Sequence, residues 1–110
     1  MKTPLHLQFR GIEPTDTLRQ LATDHVGRLE SLAGDVMACR VSIEQLQKHQ
    51  HQGRPYGVMI DLTVPGHELA VNRVQHEDVY VAMRDAFDAM HRQLEAIVQK
   101  RRGQIKHHEV

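Results

Sequence analysis

The stretch VYVAMRDAFDAMHRQLEAI, residues 79–97, carries the clearest structural pattern in the chain. Its apolar side chains recur every three or four positions over about five helical turns, which is the spacing of one buried helix face. A long amphipathic helix that packs against an apolar layer is therefore predicted. The residues of this predicted face are Val79, Met83, Ala86, Phe87, Met90, Leu94 and Ile97.

Three runs of alternating apolar and polar residues precede this helix. Residues 37–43 and 58–62 alternate with a period of two, which is typical of strands with one wet face, and residues 69–71 indicate a shorter strand. Residues 65–66 (PG) supply a turn, so the last two runs form a hairpin. Residues 45–55 are polar and contain Gly and Pro, as expected for a loop. In the first run, the side chains directed toward the core are Met37, Cys39, Val41 and Ile43.

An earlier strand and helix open the chain. Residues 5–9 alternate in the same way, and Thr15 is a favourable N-cap for a helix that follows. Gly34 stands where a left-handed residue would end that helix. The apolar stripe between these two ends consists of Leu18, Ala22, Val26, Leu29 and Ala33.

The predicted order of elements is β-α-β-β-β-α. Strands joined by a helix are parallel with a right-handed crossover, whereas strands joined by short turns are antiparallel. We therefore predict a four-stranded sheet with both helices packed on one face and the other face in water, an α+β sandwich in the broad α/β class. Residues 1–102 would form this single domain, and residues 103–110 a basic tail.

Charge and hydropathy exclude several classes of protein. Fourteen basic and fourteen acidic residues leave the 110-residue chain without formal net charge, so any nucleic-acid binding must be local. No apolar run approaches the ~20 residues of a membrane span, and the start of the chain lacks the apolar region of a signal peptide. We therefore expect a soluble, cytoplasmic protein without a membrane partner.

No enzyme signature is present. The chain lacks a glycine-rich phosphate loop, a nucleophile elbow and a zinc-protease helix. Cys39 lies on the core side of a strand, where burial would raise its pKa and hide it from substrate. Glu77 and Asp78 precede a helix and are expected to bond its free N–H groups. We expect no catalysis, no cofactor and no small-molecule substrate.

Nine histidines invite a metal hypothesis. The closest pairs are His49 with His51 and His107 with His108, and neither has a further ligand at zinc spacing. Solvated loop and tail histidines explain these pairs better. We expect no metal site, and a metal-responsive module is the least favoured hypothesis.

Cations on the two helices indicate a phosphate-binding ridge. At 100° per residue, Arg92 projects opposite the apolar stripe, and Lys100 lies two turns further on. His25 and Arg28 are neighbours on the first helix, three positions apart. If the helices pack side by side, these groups face one phosphate backbone. Solvated charge is the alternative, because acids are interleaved with them, namely Asp85, Asp88 and Glu95.

Several stretches, in order and at family spacing, resemble the ribosome hibernation promoting factor family, also described as ribosome-associated translation inhibitors or sigma-54 modulation proteins. The resemblance covers nearly the whole chain and is to the short form. Most telling is the run HEDVYVA at residues 76–82, followed by Arg92-Gln93-Leu94. The other stretches are Gly11-Ile12-Glu13, Thr15, Leu18-Arg19, Arg28-Leu29-Glu30, and Val64-Pro65-Gly66 with Glu68.

The resemblance implies a double-stranded-RNA-binding-like domain that binds ribosomal RNA of the small subunit in the channel for messenger and transfer RNA. It would inhibit translation in stress or stationary phase. The implied RNA-binding residues are Arg28, Arg92 and Lys100, with His25 where relatives often have a full cation.

The chain departs from the family at Ala89 and Ala96, which are often lysine in relatives, and at Asp85 on the same side. These changes leave fewer positive charges for RNA. Four cations further along the helix are hypothesised to replace the missing lysines, namely Lys100, Arg101, Arg102 and Lys106. The alternative hypothesis is a protein-binding regulator of the same fold, of the sigma-factor modulation type, with weak or no ribosome binding.

Overall fold

The computed structural model describes residues 3–46 and 55–108. Its elements follow the predicted order β-α-β-β-β-α. The predicted loop at residues 45–55 lies largely outside the described residues, as do His49 and His51. The elements are β1 (Leu5–Arg10), α1 (Asp16–Leu32), β2 (Ala38–Gln45), β3 (Tyr56–Val64), β4 (His67–His76) and α2 (Val79–His108).

The four strands form one sheet in the order β1-β2-β3-β4. β1 pairs with β2 in parallel, and the other two pairings are antiparallel, which confirms the predicted topology. The register places Leu7 beside Val41, Val41 beside Ile60, and Ile60 beside Val71. One apolar row therefore crosses all four strands on a single face.

Both helices cover that apolar face, as predicted. From α1, Ala22 and Val26 are fully buried, and from α2, Met83 and Met90 are fully buried against the same cluster. Burying each large apolar side chain stabilises the fold by about 1.5–3 kcal/mol. The opposite face of the sheet is open to solvent, with exposed side chains at His6, Arg40, Asp61, Glu68 and Asn72.

Capping and turn residues behave largely as their local chemistry requires. The Leu18 N–H donates to Thr15 Oγ1 at 3.1 Å, which confirms the predicted N-cap of α1. Gly66 has a φ of 81° in the β3–β4 turn, a conformation that side chains rarely tolerate. Gly34, by contrast, is not left-handed, so the predicted glycine C-cap was wrong. Ala33 ends α1 with extended φ and ψ of −142° and 107°, and its N–H still donates to the Leu29 carbonyl.

Two strand predictions also differ from the structure. Met37 is 55% exposed and lies before β2. Its N–H donates to the Thr63 carbonyl, and the alternation of buried side chains in β2 starts at Cys39. β4 is not short but spans 10 residues. An irregularity between Val58 and Ile60 shifts the register, so that Val74 pairs with Val58 and the strand continues past the predicted end.

Helix α2 is longer than its apolar pattern. It spans 30 residues, about 45 Å, and its backbone crosses residue 102 without a break. The apolar period of the helix stops near Val98. The division into a domain at 1–102 and a tail at 103–110 stays a prediction. Among the described helices, α2 included, none carries an apolar stretch sufficient to cross a membrane.

Candidate nucleic-acid interface

The two helices are joined at their solvent-facing side by a ring stack. The His25 imidazole on α1 lies parallel to the Phe87 ring on α2, with centroids 4.7 Å apart and planes within 6°. Stacked ring pairs of this kind contribute roughly 0.5–1.5 kcal/mol beyond their buried area. The stack fixes the spacing of the two helices at the point where the predicted ridge begins.

The surroundings of His25 combine burial with mixed charge. Its pKa is lowered from the ordinary value, chiefly because burial disfavours the imidazolium and secondly because Arg28 is close. Asp88 on α2 and Asp24 on α1 act in the opposite direction. His25 is therefore held neutral at neutral pH, and Arg28 carries the permanent charge at this position.

On α1 the side chains of the triplet Arg28-Leu29-Glu30 have three different surroundings. Leu29 is 1% exposed and belongs to the core. Glu30 Oε2 accepts from both the N–H and the Oγ1 of Thr3, at 2.8 and 2.6 Å, and so ties α1 to the chain just before β1. Arg28 is exposed, and within the part of the chain that the structure describes no carboxylate lies in ion-pair range of it.

On α2 the triplet Arg92-Gln93-Leu94 is arranged in the same way. Leu94 is 1% exposed in the core. Gln93 Nε2 donates to the Ala70 carbonyl at 2.9 Å, which satisfies a backbone acceptor of β4, the last strand of the sheet. Arg92 is exposed and has no ion-pair partner among residues 3–46 and 55–108. Each triplet thus offers one arginine to solvent and uses its other two residues for the fold.

We call His25, Arg28 and Arg92 the helix-pair surface. Two acidic residues of the same helices, Asp24 and Asp85, have polar partners of their own. Asp85 accepts from Arg84 at 3.5 Å, and Asp24 accepts from Gln20 Nε2 at 2.9 Å. Neither of these two acids is in ion-pair range of Arg28 or Arg92.

The three cations further along α2 do not form one group with the helix-pair surface. Lys100 and Arg102 are exposed, about 12 and 15 Å beyond Arg92 along the helix. Arg101 instead reaches back to the body: Nη1 lies 2.9 Å from Asp35 Oδ2, and Nη2 donates to the Pro65 carbonyl at 3.1 Å. RNA contact by any of the six predicted residues stays a prediction, and Arg101 already uses two of its five N–H donors within the protein.

The run at residues 76–82 begins α2. Asp78 Oδ1 accepts the Tyr80 N–H at 2.8 Å, and the Asp78 N–H donates to His76 Nδ1 at 2.9 Å. The Asp78 carbonyl accepts the Ala82 N–H at 3.0 Å, as the first helical bond. The expectation that the acids here satisfy helix N–H groups is confirmed for Asp78. This run positions α2 and supplies no charge to the helix-pair surface.

The open face of the sheet contains a second feature, which the sequence pattern did not single out. A shallow depression of about 560 Å³ is bordered by His6, Arg40, Asp61 and Glu68. Small side chains, including Ala38 and Ala70, form its floor. Charges of both signs line it, so it offers no concentrated positive field for RNA. Among the described residues, no group of three or more His, Cys, Asp or Glu side chains is placed to hold a metal ion.

The fold and the helix-pair surface define a class of protein: a small α+β sandwich whose paired helices present arginines over a four-stranded sheet. The N-terminal domain of Thermus thermophilus Protein Y has a similar fold, with a TM-score of 0.72 at 22% identity over 88% of this chain and 99% of that one. A ribosomal subunit interface protein from Coxiella burnetii is similar as well, with a TM-score of 0.64 at 14% identity over 92% and 99%.

The sequence itself matches a family model over residues 5–102. The chain belongs to the sigma-54 modulation protein and S30EA ribosomal protein family. The resemblance inferred from the sequence is thereby confirmed, and so is the predicted fold. No curated protein sequence matches the chain with significant similarity.

Proposed function

We propose that this protein binds the small ribosomal subunit through ribosomal RNA, occupies the channel for messenger and transfer RNA, and inhibits translation in stress or stationary phase. The observation that carries the proposal is a pair of exposed arginines, Arg28 and Arg92. Neither has an ion-pair partner among the described residues. They project from two helices that are in contact through the stack of His25 on Phe87. Membership of the S30EA ribosomal protein family supports it.

The chemistry of the surface suits RNA backbone more than RNA sequence. Guanidinium groups bind phosphate oxygens in a bidentate manner, and contacts of this kind position a protein without reading bases. The helix-pair surface as defined has two guanidinium groups and one imidazole, and Phe87 is 3% exposed beneath that imidazole. Recognition would therefore follow the shape of folded RNA.

The protein would inhibit translation by occupying the channel for messenger and transfer RNA. One apolar core joins the sheet to both helices, so the folded domain would block a channel by its bulk alone. Nothing in this mechanism is consumed, so no catalytic residue, cofactor or metal ion takes part. The protein would act in the cytoplasm, where idle ribosomes are found.

A second candidate function is a protein-binding regulator of the sigma-factor modulation type. The observation that favours it is the open sheet face, where Arg40 and Asp61 stand opposite each other in neighbouring strands and both are exposed. A surface with both signs of charge suits a protein partner better than a polyanion. The absence of net charge on the whole chain agrees with this alternative.

Cosedimentation on a density gradient tests the leading proposal. We expect the protein to migrate with small subunits at low salt and to dissociate as salt rises, because phosphate binding releases counterions. Substituting Arg28 and Arg92 with Ala should weaken binding by about tenfold each, since a charge-assisted contact contributes roughly 1.5 kcal/mol.

Arg19→Ala is the matched control. Arg19 is an exposed arginine of α1 as well, but its guanidinium lies 5.4 Å from the Phe9 ring, on the β1 side of the helix. We expect this variant to bind like the parent protein. Equal losses in all three variants would contradict the assignment of the helix-pair surface. Capture of a protein partner that resists ribonuclease, without subunit association, would favour the regulator instead.

A further inference from the structure

His25 is the one titratable member of the helix-pair surface, between two helices that otherwise present permanent charges there. We propose that His25 is a proton-dependent phosphate ligand, so that the surface takes up one proton as it binds RNA and binds more tightly as pH falls. This inference rests on the proposed function and adds a mode of regulation to it. A ribosome-binding factor built in this way would respond to acidification of the cell.

The geometry of the ring is the first support. Stacking on Phe87 immobilises the imidazole plane at a centroid distance of 4.7 Å, so the ring is oriented before any ligand arrives. The side chain is half-buried. Within the described residues, neither ring nitrogen has a protein hydrogen-bond partner. Both nitrogens are therefore available to a phosphate oxygen, and both become donors in the imidazolium.

The charges around the ring are the second support. Arg28, on the same helix, opposes protonation, and Asp24 and Asp88, one from each helix, favour it. Burial adds to the opposition, so the pKa of His25 lies below its ordinary value in the free protein. A phosphate bound at Arg28 would neutralise that opposing charge and place an anion beside the ring. Both changes raise the affinity of His25 for a proton, which is the linkage that the proposal requires.

A purely structural role for the stack is the competing explanation, and one substitution separates the two. His25→Phe keeps an aromatic ring to pack on Phe87 but cannot take up a proton. His25→Lys places a permanent cation at the same position. His91→Gln serves as a control for the other histidines, because His91 lies one helical turn after Phe87 and is partly exposed.

The experiment measures the dissociation constant of the full chain for purified small subunits at pH 6, 7 and 8 at constant ionic strength. We expect the parent affinity to rise as pH falls, by up to about tenfold per pH unit, the limit for one linked proton. His91→Gln should keep this dependence. His25→Phe should bind more weakly at pH 6 with little dependence on pH, and His25→Lys should bind tightly at all three values.

Two results would overturn the inference while leaving the proposed function intact. One is parent binding that does not change between pH 6 and 8. The other is a His25→Phe variant that retains the full pH dependence, which would place the linked proton elsewhere. Absence of subunit binding at every pH would instead refute the proposed function, and the inference with it. Circular dichroism of each variant confirms that it is folded.

Discussion

Arg101 near the end of α2 forms an ion pair with Asp35 in the connection between α1 and β2, at 2.9 Å. The same guanidinium donates to the Pro65 carbonyl in the β3–β4 turn. One side chain thus joins the last helix to two connections at the same end of the sheet. The consequence is that Arg101, flanked by exposed Lys100 and Arg102, helps to position α2 and already has two of its five N–H donors engaged within the protein.

The salt dependence of subunit binding distinguishes these three neighbouring cations. Each phosphate contact contributes about 0.7–0.9 to the slope of log affinity against log salt concentration. If the distal turns of α2 contact RNA, Lys100→Gln and Arg102→Gln should each flatten the slope by about that amount. Arg101→Gln should leave the slope unchanged, so the triple variant should lose about two units.

A flatter slope in Arg101→Gln alone would show that its contacts to Asp35 and Pro65 break on binding. An unchanged slope in all three single variants would remove this part of α2 from the interface. Loss of the ion pair should not unfold Arg101→Gln and so should not distort the measured slope, because a half-exposed ion pair contributes only roughly 0–1 kcal/mol to the free energy of unfolding.

Helical periodicity explains why part of the candidate site could be predicted and why the intramolecular contacts of Arg101 were not expected. Arg28 and Arg92 project away from the apolar stripes, and period alone places them in solvent. Arg101 follows Met90 by eleven residues, which is about three turns, so it points in the direction of the core. That signal was available in the sequence. Its partners, Asp35 and Pro65, depend on how the fold positions the α1–β2 connection and the β3–β4 turn, which are distant from Arg101 in sequence.

Other contacts had no local signal at all. The Gln93 amide finds the Ala70 carbonyl, and the Glu30 carboxylate finds Thr3, only because helices and strands distant in sequence are packed together. The alternation of strands β1 to β3 was predicted correctly except at Met37, since period two follows from the pleat. β4 was read as too short because its register shift breaks that period before Val74.

The N-cap of α2 should be a measurable contributor to stability. Asp78→Ala removes the acceptor of the Tyr80 N–H and should lower the free energy of unfolding by about 0.5–2 kcal/mol. Asp78→Ser or Asp78→Asn should recover most of that loss, because each supplies a side-chain oxygen. Urea unfolding followed by circular dichroism measures the difference. Glu77→Ala is the control, and a loss equal to that of Asp78→Ala would contradict the assignment.

His25 should make the folded state less stable in acid. Its pKa in the folded protein is below the ordinary value near 6.5, so the unfolded chain binds the proton more readily. The stabilising contribution of neutral His25 is therefore fully present above pH 6.5 and is lost as pH falls through the folded-state pKa. His25→Phe lacks this term, so its stability relative to the parent should improve between pH 7.5 and pH 5.

Urea midpoints of the two proteins across this range provide the measurement. Every other histidine is common to both proteins, so its effect cancels in the difference. A difference in midpoint that is constant with pH would show that His25 titrates alike in the folded and unfolded states, and a difference that favours the parent in acid would show that the folded state binds the proton more tightly. Either result would contradict the prediction.

The Cys39 thiol should be unreactive while the protein is folded. The residue is 2% exposed, and burial, aided by the charge of Asp61, raises its pKa to about 12. Because the thiolate is the reactive form, a disulfide reagent such as dithionitrobenzoate should label the native protein only as fast as it unfolds, and should label it at once in denaturant. Addition of urea below the unfolding midpoint should accelerate labelling in step with the unfolded fraction. Cys39→Ala should abolish labelling under every condition, which excludes reaction at other groups. Rapid labelling of the native chain would mean that β2 opens independently of the rest of the sheet, and the continuous apolar row from β1 to β4 would then not act as one cooperative unit.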